Sequence, residues 1–343
     1  MSRHRGSISS TDNYTAMLRE YVGLRERTGA SPNSIRSYKL FVRYVQRYLG
    51  TPLISTLSVM DFNRFEQRLL TPKRAGGQGL SRNSVLAVHH FLRGAFNHFV
   101  NAGVCTQNPL VYVTKPTPER VEAASLDEWD FNELDAALER ELKRGTSEGT
   151  TLLDVAFALG AWLSLRTGLR VGEVCALRRK DVSRVSLQIH VGGTVVEERG
   201  HKPRRKNTTK GRRSRNIAVT QDVIDVVFRV LALQDKSIPN LRAGSPLLTQ
   251  DGNFLRPTLM SSSFRHLNER LGLPQSLSFH SLRHTHATWC LANGVDIKTL
   301  SERLGHADVA TTLRIYAHVM PGRDAIAAHA FAKAAAIARG ASN

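Results

Sequence analysis

Apolar residues recur at helical spacing through the first third of the chain. Thr11 to Thr28 carries Tyr14, Met17, Leu18, Tyr21, Val22 and Leu24 in that rhythm, which predicts a helix. Ser31-Pro32 reads as a helix start, with Ser as cap and Pro in the first turn. The helix that follows turns Ile35, Tyr38, Phe41, Val42, Val45 and Tyr48 inward and shows Arg36, Lys39, Arg43 and Arg47 outside. Ser58 can cap a third helix to about Leu70, with Phe62, Phe65 and Leu69 inward. A Gly-rich loop, Ala75 to Gly79, precedes a fourth helix capped by Ser81 and ending near Gly103. Asn108-Pro109 breaks that pattern, and Thr114 to Pro118 is an extended, Pro-stiffened linker.

From Ser125 the pattern changes. Ser125-Leu126-Asp127-Glu128 fits a cap followed by an acidic first turn, and Thr151 to Leu165 is a strongly apolar helix. Val185 to Val191, Thr194 to Glu198 and Arg215 to Val219 alternate or carry β-branched residues, so they read as strands. Arg199 to Ser214 reads as a basic loop between the last two. Helical spacing returns at about Gln221 to Leu233, Met260 to Leu271, His280 to Ala292, Ile297 to Arg303 and Val309 to Tyr316. The tail from Ala325 to Arg339 is Ala-rich. The expected organisation is a basic tail (1–10), a helical domain (11–113), a linker (114–124), a mainly α domain with a small antiparallel sheet (125–321), and a C-terminal helix or tail (322–343).

Composition narrows the function. Lys and Arg exceed Asp and Glu by 19 in 343 residues. Such a surplus points to a polyanion, because each neutralised phosphate releases counterions. Candidate backbone contacts are Arg36, Lys39, Arg43, Lys73, Arg74 and Arg82 in the first domain, and Lys202, Arg204, Arg205, Lys206, Arg212 and Arg213 in the basic loop. Each stripe alone also reads as a solvated face. No apolar run is long enough to span a membrane, and residues 1–10 lack the apolar core of a secretory signal. Cys105, Cys175 and Cys290 form no metal or redox pattern. The expectation is a cytoplasmic protein with no metal and no cofactor.

Four segments place charged or nucleophilic groups at turns and helix starts. In Thr167-Gly168-Leu169-Arg170-Val171-Gly172-Glu173 two glycines bracket an arginine, and Glu173 stands where it can orient it. Lys210 lies in the loop between two strands, with Lys206 as its competitor. His280-Ser281-Leu282-Arg283 puts His280 and Arg283 on one helical face. Leu304-Gly305-His306 is followed ten residues later by Tyr316. Taken singly, these are a surface turn, a phosphate patch, a capping face and a half-buried tyrosine.

Their order and spacing resemble the signature boxes of the tyrosine recombinase (phage integrase) family. The matching stretches are TGLRVGEVCALRRKDV (167–182), SFHSLRHTHATWCLANGVDIKTLSERLGH (278–306) and ATTLRIYAHV (310–319). The first domain resembles the family's core-binding domain in architecture only. The resemblance implies a two-domain C-shaped clamp on duplex DNA. It implies Arg170 and Arg283 as phosphate clamps, Lys210 as general acid, His280 and His306 as the box histidines (His280 a candidate base for the phenol, His306 a phosphate contact), Glu173 as support and Tyr316 as nucleophile. Ala218 stands where the family often has Pro, and Arg179 where Trp is common. The implied reaction forms a 3′-phosphotyrosyl bond and a free 5′-hydroxyl, without metal or ATP. Implied partners are attachment-site DNA, a homo-tetramer on that DNA, and accessory proteins that bend DNA or set direction. The wording near Tyr316 is closer to mobile-element integrases than to chromosome dimer resolvases. Such integrases often carry a further N-terminal arm-binding domain, whereas this chain opens near its core-binding helices; a simpler recombinase, a truncated chain and one with a minimal site are the alternatives, and footprint protection limited to the crossover region would imply no arm sites. A type IB topoisomerase-like enzyme and a non-catalytic DNA-binding protein are the other classes.

Overall fold

The structure is a computed structural model and describes residues 13–119, 124–145, 149–198, 200–208, 214–316 and 323–338. The chain divides into two compact units, 1–122 and 123–343.

The first unit packs four helices: α1 (Tyr14–Arg27), α2 (Pro32–Tyr48), α3 (Val59–Leu70) and α4 (Arg82–Asn101). Each start is fixed by a side chain that accepts an orphan backbone N–H: Asn13, Ser31, Ser58 and Ser81. Ser58 and Asp61 bond reciprocally as a capping box. The core is aromatic, with Tyr14, Phe62 and Phe96 in edge and tilted contact and Phe65 and Phe99 buried nearby. Inside it, the buried His89 Nδ1 lies 2.8 Å from Glu66 Oε1.

The second unit is built around α6 (Leu152–Thr167), which is buried on nearly every side. Its other helices are α5 (Glu128–Arg144), α7 (Val171–Val174), α8 (Gln221–Ser237), α9 (Pro257–Arg270), α10 (Phe279–Ala292), α11 (Ile297–Leu304), α12 (Val309–Tyr316) and α13 (Arg323–Ala338). The fold is thus mainly α with small antiparallel sheets. Strands β1 (Val182–Ser183), β2 (Gln188–Val191) and β5 (Arg215–Ala218) form one sheet in the order β1-β2-β5. Strands β3 (Thr194–Val196) and β4 (Arg204–Lys206) form a separate ribbon.

Two expectations are corrected here. The strand expected from Val185 begins only at Gln188, because the chain turns first: Leu187 takes a left-handed φ of 48° and Val185 is fully exposed. The expected loop from Arg199 contains β4, whose residues pair Thr194↔Lys206, Val195↔Arg205 and Val196↔Arg204. Arg-Arg-Lys shows no apolar alternation, so its strand character lies in backbone pairing. Its side chains still alternate: Arg204 and Lys206 are exposed, while Arg205 turns inward and donates to the Ala176 carbonyl at 3.0 Å. Among the described residues no helix is long and apolar enough to cross a membrane.

Candidate active site

The site begins where α6 ends. Gly168 closes the helix in a left-handed conformation (φ 70°), which leaves its carbonyl pointing at α10. A side chain there would meet Leu304 and His286 at under 3 Å, so only glycine fits. Arg170 then caps α7. Glu173, three residues on, accepts from the Arg170 backbone at 3.1 Å and from its guanidinium at 3.0 Å.

Three segments meet at the end of α11. Helix ends leave backbone carbonyls without partners. The Leu304 carbonyl accepts from Arg170 (3.3 Å) and from Arg283 (2.8 Å). Arg283 also donates to the Gly168 carbonyl at 2.8 Å, so it ties α6 to α11. It further donates to His306 Nε2 at 2.8 Å, and His306 Nδ1 donates to Thr312 Oγ1 at 2.6 Å. The two bonds are compatible with one neutral tautomer of His306.

Glu173 is the hub of the charge balance. It is 2% exposed and accepts from Arg215 at 3.0 and 3.3 Å as well as from Arg170. Burial pushes its carboxyl up, but bonds and charge from Arg215 and Arg170 outweigh this and hold it below the ordinary value. Arg215 also donates to the Arg303 carbonyl at 2.7 Å, against Gly305. Burial, then repulsion from Arg170, brings Arg283 down to about 9, so it remains a cation at neutral pH. Burial and the neighbouring arginines lower His306 to about 4. Three guanidiniums therefore surround one carboxylate. The surplus suits an anion that two or three arginines can grip.

Tyr316 ends α12 and is 2% exposed. Its hydroxyl lies 2.8 Å from His284 Nδ1. Burial raises the phenol to about 12, with Arg283 and Arg170 acting the other way. Burial, then His280 and Arg283, lowers His284 to about 4. His280 is exposed, and its ring stands edge-on to His284 with centroids 4.5 Å apart.

Of the residues singled out from sequence, Arg170 bonds Glu173 and Arg283 bonds His306, and the two pairs meet at the Leu304 carbonyl. Tyr316 lies within the field of the two arginines, and His280 shares its helix with Arg283. Lys210, Arg212 and Arg213 lie outside the described residues. Arg36, Lys39, Arg43, Lys73, Arg74 and Arg82 are exposed on the first unit; Lys202, Arg204 and Lys206 are exposed on the second. Arg205 is committed to Ala176 and Asn207. Sequence reasoning missed His284 and Arg215. His284 follows the expected arginine and stands four residues from His280, a spacing that was open to reading. Arg215 is one of many arginines and gave no signal. Among the described residues, no cluster of three or more His, Cys, Asp or Glu side chains is arranged to hold a metal ion.

The sequence profile of the phage integrase family matches residues 146–323, just over half the chain, and the protein belongs to that family, the tyrosine recombinases. A tyrosine recombinase XerC-like protein of Caldanaerobacter subterraneus subsp. tengcongensis is 26% identical over 294 residues, spanning 78% of this chain and 69% of its own length. Among solved structures, the Tn1549 transposon integrase in complex with transposon right-end DNA has a TM-score of 0.74 at 20% identity, covering 92% of this chain and 98% of that one. A lambda integrase tetramer bound to a Holliday junction has a TM-score of 0.60 at 17% identity, covering 90% and 83%.

Proposed function

We propose that this chain is a site-specific recombinase that cuts and rejoins duplex DNA through a covalent bond from Tyr316 to a backbone phosphate. The observation that carries this is the convergence of Arg170 and Arg283 on one carbonyl, with Tyr316 inside their field. A phosphodiester repels nucleophiles. Two guanidiniums on its non-bridging oxygens neutralise that charge and stabilise what builds up during attack. His306 accepts from Arg283, so its first contribution is to hold that arginine. Lys210 is the candidate acid for the leaving 5′-oxygen. Bond energy is conserved in the phosphotyrosyl link, so ATP is not needed, and the arginines take the charge-stabilising part that a metal ion would otherwise play.

The test is trapping. A nicked attachment-site duplex should give a covalent adduct that maps to Tyr316, formed equally in EDTA. Tyr316→Phe should bind the same duplex and give no adduct. An adduct on another residue, or one formed only with Mg²⁺, would overturn the reading.

We further infer a mobile-element integrase, acting as a tetramer on two duplexes. The wording from Ser301 to Gly322 supports this, and the Tn1549 integrase shares the fold. A chromosome dimer resolvase is the second reading, favoured by the XerC-like relative. Sequencing the DNA covalently held in cells separates them: one chromosomal locus supports the resolvase, and paired element and target sequences support the integrase.

A further inference from the structure

The structure places an imidazole on the phenol itself. The Tyr316 hydroxyl is 2.8 Å from His284 Nδ1, with ring centroids 5.6 Å apart. Both side chains are buried, at 2% and 9% exposure, so water does not compete for the bond. We propose that His284 is a catalytic residue, the base that takes the Tyr316 proton as the phenol attacks phosphorus. This rests on Tyr316 being the nucleophile.

The titratable and charged neighbours of this pair are His280 and Arg283 on α10 and Tyr316 on α12, with Arg170 acting on the phenol. Burial first, then His280 and Arg283, disfavour a positive charge on His284, so it stays neutral and the phenol donates to its bare Nδ1. Nε2 then carries the ring proton. During attack the Oη–H bond breaks and the proton passes to Nδ1. The Oη–P bond forms, and the P–O5′ bond breaks with its electron pair on O5′. That oxygen draws its proton from a separate acid. Rejoining reverses each step, and His284 returns the proton to Oη.

A weak base suffices here. The phenol holds its proton tightly before attack, but once its oxygen is bonded to phosphorus the proton becomes strongly acidic. A base of intermediate strength therefore accepts it part-way along the reaction. The phosphate also brings negative charge, which favours the imidazolium as it forms.

The experiment compares the wild-type chain with His284→Asn and His284→Gln in single-turnover cleavage of a nicked duplex at saturating DNA. An asparagine amide oxygen can still receive the phenol's hydrogen bond, so the core stays satisfied, yet it takes no proton. Circular dichroism and DNA binding establish that each variant folds, and Gln serves if Asn does not. We expect cleavage at neutral pH to fall on the order of 10²-fold. Without a base the phenol must ionise first, so the deficit should shrink by about tenfold per pH unit as pH rises toward the phenol's own range. A duplex with bridging sulfur at the scissile 5′ position needs no acid, and the deficit should persist on it. Near-wild-type cleavage by the variants, a deficit constant across pH, or its disappearance on the sulfur substrate would each overturn the assignment. If the wild-type chain forms no Tyr316 adduct, the recombinase reading fails together with this one. If the adduct forms and the variants match wild type, this one fails alone.

Discussion

Glu173 restrains two guanidiniums, those of Arg170 and Arg215, with one carboxylate. Breaking a buried ion pair leaves uncompensated charge and costs about 3–5 kcal/mol. Glu173→Gln should therefore lower the melting temperature of the second unit. It should also slow cleavage more than it weakens DNA binding, which paired thermal and single-turnover measurements will show. Acid should act on the same cluster. His284, His286 and His306 are each lowered to about 4 by burial first. A histidine whose folded value lies below its unfolded value of ~6.5 stabilises fully above that value. The contribution drains away as pH falls toward about 4, and Glu173, also depressed, adds its loss lower still. A melting temperature that stays flat from pH 7 to pH 4.5 would contradict this.

At the scale of elements, the short α11 is where the site is assembled, and Gly305 decides how it ends. Its φ is 66°, and a Cβ there would stand 2.6 Å from the Arg215 guanidinium. Gly305→Ala should cost about 1–2 kcal/mol for the left-handed backbone, and more for displacing Arg215 from Glu173. Gly294, with φ 89° and open space around it, supplies the control. Gly294→Ala should show the strain alone, and urea unfolding of the pair tests the difference. Helix starts such as Ser31, Ser58 and Ser81 were legible because a cap and an apolar rhythm coincide there. Arg170, Arg283 and His306 were legible because glycines and helix starts present them. The meeting point was not, since Leu304 contributes a backbone carbonyl and any residue has one. Strand β4 was hidden for the same reason: its partner is β3's backbone, and its side chains are all cationic.

For the whole molecule, on the proposed function, a surplus of 19 positive charges would make association with DNA strong and salt-dependent, without choosing a sequence. Helix α13 leaves Phe331 and Ile337 largely exposed, at 76% and 66%. Apolar side chains set out in water in this way suit a contact between copies. Removing residues 323–343 should leave affinity for a single site unchanged and reduce assembly on paired sites, which sedimentation with DNA will measure. Unchanged assembly would show that the helix serves its own chain. The burial of Tyr316 bears on how such a protein can live in a genome. A basic chain visits vast numbers of incorrect positions, on the order of 10⁶–10⁹ in a chromosome, before it meets its target. If Tyr316 is the nucleophile, a side chain only 2% exposed keeps its oxygen out of reach on each passing visit, so promiscuous searching carries little mutational risk.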